Sequence, residues 1–121
     1  MYFENTGLED ILVEFTLLQH VMGKHGLTME GQWDYERATF DRKFDVREGR
    51  YYLRVFTYAV DGDIDAGDAT VKIMKPVIGK HYYPFGLEYG EDEHFPEHLL
   101  KTSADILATI KSELKAFEIQ V

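Results

Sequence analysis

Aromatic side chains in the middle of the chain follow the two-residue period of a β-strand. Much of the aromatic content, eight Tyr, eight Phe and one Trp, lies between Trp33 and Tyr89 and alternates with β-branched and charged residues. This mixture is typical of a sheet with one buried face. We predict strands over residues 32–35, 38–44, 51–60 and 70–74. Short turns between successive strands require antiparallel pairing, so the sheet is expected to be a meander.

Helical patterns lie at the two ends of the chain. Apolar residues from Leu99 to Phe117 form one stripe, which predicts a helix from Pro96 to about Phe117. Near the N-terminus, either residues 8–22 form one helix, or a short strand over 11–15 precedes a helix over 17–24. We favour the second, because Thr16 and Gln19 fit a capping box.

Together these elements predict an α+β fold. A curved antiparallel β-sheet meander is expected to carry an N-terminal helix and a long C-terminal helix packed on one face. A further edge strand is expected near residues 85–89, which follow two prolines. The length of 121 residues fits a single domain over residues 1–121.

Charge and cysteine content narrow the possible settings and partners. The net charge of −9 opposes binding to nucleic acid, where basic side chains must neutralise phosphates. The chain has no cysteine, which suits a reducing cytoplasm. Its apolar run from Ile11 is interrupted by Glu14 and Thr16, so we expect neither a signal peptide nor a membrane span. A cytoplasmic protein without a nucleic-acid or membrane partner is expected.

Five short blocks, in this order and spacing, resemble the YugN-like family of small Bacillus-type proteins. They are Gly31-Gln32-Trp33-Asp34-Tyr35, Phe40-Asp41, Leu53-Arg54-Val55, Ala59-Val60-Asp61-Gly62 and Ala69-Thr70-Val71. The resemblance extends from about Leu8 to the C-terminal helix, and it departs most between Lys80 and Glu97. The family has no established activity. The resemblance therefore implies a fold and a cytoplasmic setting, and it assigns no catalytic residue.

Two segments imitate metal sites. His94-Phe95-Pro96-Glu97-His98 matches the H-x-x-E-H pattern of zinc proteases. Pro96 marks a helix start, however, so we interpret the segment as an acidic helix-entry loop. Weak adventitious metal binding by His94 and His98 is the alternative interpretation. The acidic run 61–68 imitates the start of a calcium-binding EF-hand loop, but Ala66 and Lys72 occupy the positions at which that loop requires Gly and Glu. We therefore interpret the run as a strand connection. No functional metal or cofactor is expected.

One aromatic and basic set has two interpretations. Core packing is the default for large aromatics at period two. Alternatively, the set lines a ligand groove between the sheet and the C-terminal helix, where aromatic faces and a guanidinium hold a planar or anionic molecule. Its members are Trp33, Tyr35, Phe40, Tyr52, Arg54, Phe56 and Tyr58. Six basic residues from Arg37 to Arg54 likewise suggest either a solvated face or a pocket for a small anion.

The sequence shows no nucleophile with its base and no phosphate-binding glycine motif. We therefore expect a non-catalytic protein-interaction or binding module, acting as a homodimer or with an unidentified protein partner. The alternative is a small-molecule carrier or sensor with an aromatic cavity between the sheet and the C-terminal helix. An enzyme is the third class, and no residue is assigned to catalysis.

Overall fold

The computed structural model describes residues 1–29, 34–82, 84, 86–90 and 93–120. These residues form six strands and two helices, which confirms the predicted α+β class. In chain order the elements are β1 (Leu12–Glu14), α1 (Phe15–Lys24), β2 (Arg37–Val46), β3 (Gly49–Asp61), β4 (Thr70–Ile73), β5 (Val77–Tyr82), β6 (Gly86–Glu88) and α2 (Glu97–Leu114).

The long strand β3 is the centre of an antiparallel sheet. Along one edge it pairs with β2, from Arg37 opposite Tyr58 to Val46 opposite Gly49. Its other edge is shared, because β4 pairs with its C-terminal part and β5 with residues 51–54. β1 extends the sheet beyond β4, and β6 extends it beyond β5. Antiparallel pairing is thus as predicted, although β5 returns to β3 instead of pairing with β4.

The sequence pattern does not predict β5. Its six residues contain Gly79 and follow Pro76, and both residue types weaken a strand prediction. Tertiary pairing with β3 and β6 on its two sides supplies the hydrogen bonds that hold it extended. The expected edge strand near residues 85–89 is β6.

The N-terminal region follows the second of the two predicted arrangements, with a short strand before the helix. The predicted Thr16 cap is wrong, because α1 begins at Phe15 and its N-cap, Glu14, makes no side-chain capping bond. The backbone N–H of Phe15 instead donates to the carbonyl of Ala69 at 2.9 Å. Because β1 ends at Glu14 and α1 begins at Phe15, the chain enters the helix directly from the sheet. The Phe15 side chain is buried at this junction.

The predicted strand over 32–35 is not formed by its described residues, and Gln32 and Trp33 lie outside them. Asp34 makes a turn in which its Oδ1 accepts hydrogen bonds from the N–H groups of Glu36 at 2.7 Å and Arg37 at 2.8 Å. These donors hold the pKa of the Asp34 carboxyl below its ordinary value. The turn leads directly into β2.

The acidic segment 61–68 is a turn between strands, as predicted. Asp63 Oδ1 accepts a hydrogen bond from the N–H of Asp65, and Asp68 Oδ1 accepts one from the N–H of Asp63, both at 2.8 Å. Gly62 has φ +75°, and a Cβ there would lie 2.6 Å from the carbonyl oxygen of Asp68. The turn therefore requires glycine at this position.

The two helices cover one face of the sheet. Alternate residues of β2 and β3, including Phe40, Leu53 and Val55, are fully buried there. They pack in one core with the apolar stripes of α1 and α2, which contribute Leu18, Met22, Leu107, Ile110 and Leu114. In the described part of the chain the opposite face, called here the open face, carries no helix. No described helix is both long and apolar enough to cross a membrane.

Candidate functional site

The structure does not bring together the seven residues of the predicted groove. Phe40 lies in the core, paired with Val55 across β2 and β3. Tyr52, Arg54, Phe56 and Tyr58 alternate with buried residues and lie on the open face. The groove was expected between the sheet and the C-terminal helix, but the apolar core fills that space. Described cavities instead lie on the open face.

The two remaining members of the set are not part of the sheet. Tyr35 follows Asp34 in the turn before β2 and its side chain is 61% exposed. Trp33 lies outside the described residues. The period-two pattern therefore placed the four β3 residues of the set on one face of the sheet. It did not separate them from Phe40, which lies on the opposite, core face.

A cavity of about 740 Å³ opens on the open face, and we call it the Arg54 cavity. Its lining includes residues of four strands, β2, β3, β5 and β6, and of the segments that follow α1 and β6. Tyr52 and Arg54 of β3 belong to the predicted set. The other charged or aromatic members are Asp41 and Lys43 of β2, His81 of β5, and Tyr89, and the remaining members are Gly26, Thr28, Gly86 and Leu87.

An ion pair between Asp41 and Arg54 forms part of the cavity lining. The two residues lie directly opposite each other on β2 and β3. Arg54 Nε and Nη2 donate to the two carboxylate oxygens of Asp41, each at 2.7 Å. The Asp41 side chain is only 8% exposed and that of Arg54 21%, so water screens the pair weakly. The Asp41 carboxylate raises the pKa of Arg54 through these bonds.

A third bond fixes the guanidinium, because Arg54 Nη1 donates to the Tyr89 hydroxyl at 2.8 Å. A guanidinium has five N–H donors. Among the described residues, these three bonds therefore leave two donors of Arg54 for a ligand. The group is held in one orientation before anything enters the cavity.

The position of Tyr89 depends on a glycine in the neighbouring strand. A Cβ added at Gly79 of β5 would lie 2.8 Å from both Cδ1 and Cε1 of the Tyr89 ring. The ring thus packs against bare backbone, in the space where another residue would place its side chain. This packing lets the Tyr89 hydroxyl contact Arg54.

Lys43 and the rings of Tyr52 and His81 form another part of the cavity wall. Lys43 lies opposite Tyr52 across β2 and β3. The Tyr52 and His81 rings are 6.0 Å apart at 66°, an edge-to-face contact. Lys43 Nζ is 3.8 Å from a carboxylate oxygen of Asp45, whose other oxygen accepts a 2.8 Å bond from Arg50. Among the described residues, the contact of Lys43 with an acid is therefore long and exposed.

A second cavity of about 600 Å³, called here the Phe56 groove, lies farther along β3. It is bordered by Phe56 and Tyr58 of β3, by Tyr2, and by Met74 after β4. The guanidinium carbon of Arg54 lies 5.9 Å from the centre of the Phe56 ring. This cation–π contact links the two cavities along the same strand.

The two histidines of the H-x-x-E-H segment lie on either side of the start of α2. Pro96 is the N-cap, so His94 precedes the helix and His98 is within its first turn. His98 Nε2 lies 3.3 Å from Glu48 Oε2, and the backbone carbonyl of His94 accepts a long bond from the Tyr51 hydroxyl. Among the described residues, no group of three or more His, Asp and Glu side chains is arranged to hold a metal ion.

Two lining residues absent from the predicted set, Asp41 and Lys43, could have been found from the strand pattern. Asp41 and Lys43 alternate with Phe40 along β2, so the predicted strand already separated them from the core face. Their pairing with Arg54 and Tyr52 then follows from the register of a tight hairpin. His81 had no such signal because β5 was not predicted, and the contact of Tyr89 depends on that strand.

Comparison with known proteins confirms the resemblance found in the sequence. The chain is 43% identical to the uncharacterised protein YlbA of Bacillus subtilis (strain 168), over 96% of this chain and 97% of that protein. A shorter match, 39% identical over 61 residues, covers half of this chain and 46% of the uncharacterised protein YugN of the same organism.

The fold also matches a solved structure. The crystal structure of the uncharacterized conserved protein YugN from Geobacillus kaustophilus HTA426 superimposes with a TM-score of 0.83 at 49% identity, covering 96% of each chain. Residues 5–108 match the YugN-like family. From this family match and the identity to YlbA, the chain belongs to the YugN-like family.

Proposed function

We propose that this protein is a non-catalytic binding module of the cytoplasm and that it binds a small molecule in the Arg54 cavity. The observation that carries the proposal is the guanidinium held at a ligand-sized cavity by three hydrogen bonds. Ligand pockets commonly have volumes of roughly 300–1,000 Å³, and this cavity has about 740 Å³. A group fixed in advance loses little entropy when a ligand binds, which favours affinity.

The state of Asp41 supports binding rather than catalysis. A carboxylate acting as general base needs an oxygen free to take a proton from the substrate. Both Asp41 oxygens accept bonds from Arg54 instead. This pairing occupies both oxygens of Asp41, so its role in the proposal is to orient Arg54.

The setting and partners in the proposal rest on composition. A chain without cysteine suits a reducing compartment, and a net charge of −9 opposes polyanionic partners. The proposal therefore includes neither a nucleic acid nor a membrane among the partners. It retains a second copy of the chain as a partner, because exposed apolar residues border the Phe56 groove.

Native mass spectrometry tests the proposal. The protein is isolated from its own cytoplasm under non-denaturing conditions, and retained small molecules are weighed. We expect wild type and a Tyr58→Ala control to retain an organic molecule that Tyr52→Ala loses. Both tyrosines lie half-buried on the same face of β3, but only Tyr52 lines the Arg54 cavity. Spectra of all three proteins without any retained molecule would contradict the proposal.

A second candidate function, homodimer formation, is favoured by the Phe56 groove. Tyr2 and Met74 border this groove and are exposed although largely apolar. Glu36 and Arg37 lie on the same groove, so its border carries both signs of charge. In a two-fold dimer the same patch meets itself, and a border with both signs lets opposite charges face each other.

Sedimentation velocity over a range of concentrations tests the dimer. We expect wild type to self-associate and Met74→Glu to remain monomeric. Ile119→Glu is the matched control, because Ile119 is 39% exposed compared with 45% for Met74. Ile119 lies away from the groove, beside β1, where its N–H donates to the Leu12 carbonyl. A dimer that survives Met74→Glu, or a monomeric wild type, would contradict this candidate.

A further inference from the structure

We propose that the ligand of the Arg54 cavity is a small planar organic anion, such as an aromatic carboxylate. This inference rests on the proposed function and adds the chemical class of the ligand. Lys43 and the two remaining donors of Arg54 bind the negative group. The rings of Tyr52 and Tyr89 contact the planar part.

The charges around the cavity favour an anion. The described lining includes two cationic side chains, Lys43 and Arg54, and one acid, Asp41. Asp41 is fully engaged by Arg54. Asp45 lies 3.8 Å from Lys43, but Arg50 binds it at 2.8 Å. Among the described residues of the cavity, the charge of Lys43 is therefore not balanced by an acid of its own.

The charge of the whole chain favours a small anion over a large one. With a net charge of −9, the protein repels a polyanion that extends across its surface. An anion inside the cavity interacts mainly with nearby charges, because salt screens charges beyond about 8–10 Å. A compact ligand thus experiences the local cations more than the acidic surface.

The rings indicate a planar molecule. Tyr52 is bordered by the edge-to-face His81 ring, and Tyr89 is fixed over Gly79 with its hydroxyl bound to Arg54. Tyrosine rings held in one orientation offer apolar faces at little entropic cost. A flat aromatic anion uses both the rings and the cations, whereas inorganic phosphate uses the cations alone.

The test compares three probes by isothermal titration calorimetry: 2-naphthoate, its neutral analogue 2-naphthamide, and inorganic phosphate. We expect 2-naphthoate to bind about tenfold or more tightly than either of the others, the difference expected from one charge-assisted contact or one ring contact. Equal binding of 2-naphthamide would overturn the role of charge, and equal binding of phosphate would overturn the role of the rings.

Two lysine variants locate the binding. Lys43→Met is expected to weaken 2-naphthoate about tenfold and to leave 2-naphthamide unchanged. Lys72→Met is the matched control, because Lys72 lies on β4 opposite Tyr58 of β3, outside the Arg54 cavity. Equal loss in both variants, or no loss in Lys43→Met, would overturn the assignment of Lys43.

Failure of this inference is distinguishable from failure of the proposed function. If none of the three probes binds while native mass spectra show a retained molecule that Tyr52→Ala loses, the cavity binds another class of ligand and only the anion inference fails. If the probes do not bind and the wild-type protein retains nothing, both proposals fail.

Discussion

Asp41 and Arg54 illustrate how a single pairing determines the chemistry of both residues. A carboxylate that is 8% exposed has lost most of its hydration, which is costly unless a cation replaces the water. Arg54 provides two donors at 2.7 Å, so the pair is both compensated and rigid. The same rigidity orients the guanidinium toward the cavity.

Removing the Asp41 carboxylate should be strongly destabilising. We expect Asp41→Ala to lower the free energy of unfolding by about 3 kcal/mol, because it leaves a partly buried cation without its partner. Urea denaturation measures the change. Asp45→Ala, which breaks an exposed pair with Arg50 on the same hairpin, should leave the urea midpoint nearly unchanged. Similar losses in the two variants would refute the special role of the Asp41 pair.

A second residue-scale contrast concerns two buried hydroxyl groups. Ser103 Oγ lies in the core face of α2 and has no hydrogen-bond partner in the described part of the chain. Thr57 Oγ1 is also buried but donates to the carbonyl of Ala38 at 2.9 Å. Burial therefore costs free energy at Ser103 and is compensated at Thr57.

We expect Ser103→Ala to raise the free energy of unfolding by about 1 kcal/mol, since it removes an unpaired polar group. Thr57→Val keeps the shape of the side chain and should lower the free energy of unfolding by about 1 kcal/mol, since it removes a bond that is made. Urea midpoints with unchanged m-values measure both. Destabilisation by Ser103→Ala would indicate that its hydroxyl is satisfied after all.

At the scale of elements, the C-terminal end of α1 is tied to both of its neighbours. His25, the residue after α1, has its Nε2 3.1 Å from Glu113 Oε2 on α2, and Lys24 Nζ lies 3.4 Å from the same oxygen. Arg42 of β2 donates from Nη1 to the His25 carbonyl at 2.8 Å. This last bond satisfies a carbonyl at the helix end, where intrahelical donors are lacking.

The contact between the helices should depend on pH through Glu113. Its bond to His25 holds the pKa of Glu113 below the ordinary value of 4.5. A depressed folded-state pKa stabilises the fold above about pH 4.5, and this stabilisation is lost as pH falls through the lower, folded-state pKa. We expect His25→Gln to raise the pKa of Glu113 toward 4.5, as measured by NMR titration of its carboxyl carbon.

His20→Gln serves as the control for this titration. His20 is exposed on α1 and is not among the groups that shift the Glu113 pKa. Its replacement should leave the Glu113 titration unchanged. An equal shift in both variants would show that general charge, and not the bond to His25, lowers the pKa of Glu113.

At the scale of the whole molecule, an acidic protein has a locally cationic cavity. The net charge is −9, whereas the described lining of the Arg54 cavity includes Lys43 and Arg54 against Asp41 alone. The acidic surface repels an anion over long distances, where salt screens the interaction strongly. The cations of the cavity attract it over short distances, where screening is weak. In the proposed binding site, this arrangement favours small anions over large ones.

We therefore expect no binding of a fluorescently labelled DNA duplex at about 50 mM salt, a condition that favours nonspecific binding. Fluorescence anisotropy measures it, with protein concentrations up to those at which 2-naphthoate saturates the cavity. Salt-sensitive binding of the duplex would contradict both the charge argument and the absence of a nucleic-acid partner in the proposed function.

Most of the regular elements of this protein were predictable from local sequence patterns. Period-two alternation predicted β2, β3 and β4, and the apolar stripe from Leu99 predicted α2, because burial of one face leaves a periodic trace in the residues that form it. Short turns required antiparallel pairing. The five blocks also carried the family resemblance, which the comparisons confirm.

Which face the helices cover, and which residues meet on the open face, depend on contacts between distant parts of the chain. Arg54 meets Asp41 across 13 residues and Tyr89 across 35. The second contact depends on β5, a strand held by pairing on both sides and not by its own sequence pattern. Periodicity records that a residue alternates between two faces, but it does not record which neighbours share its face, since those neighbours come from distant parts of the chain.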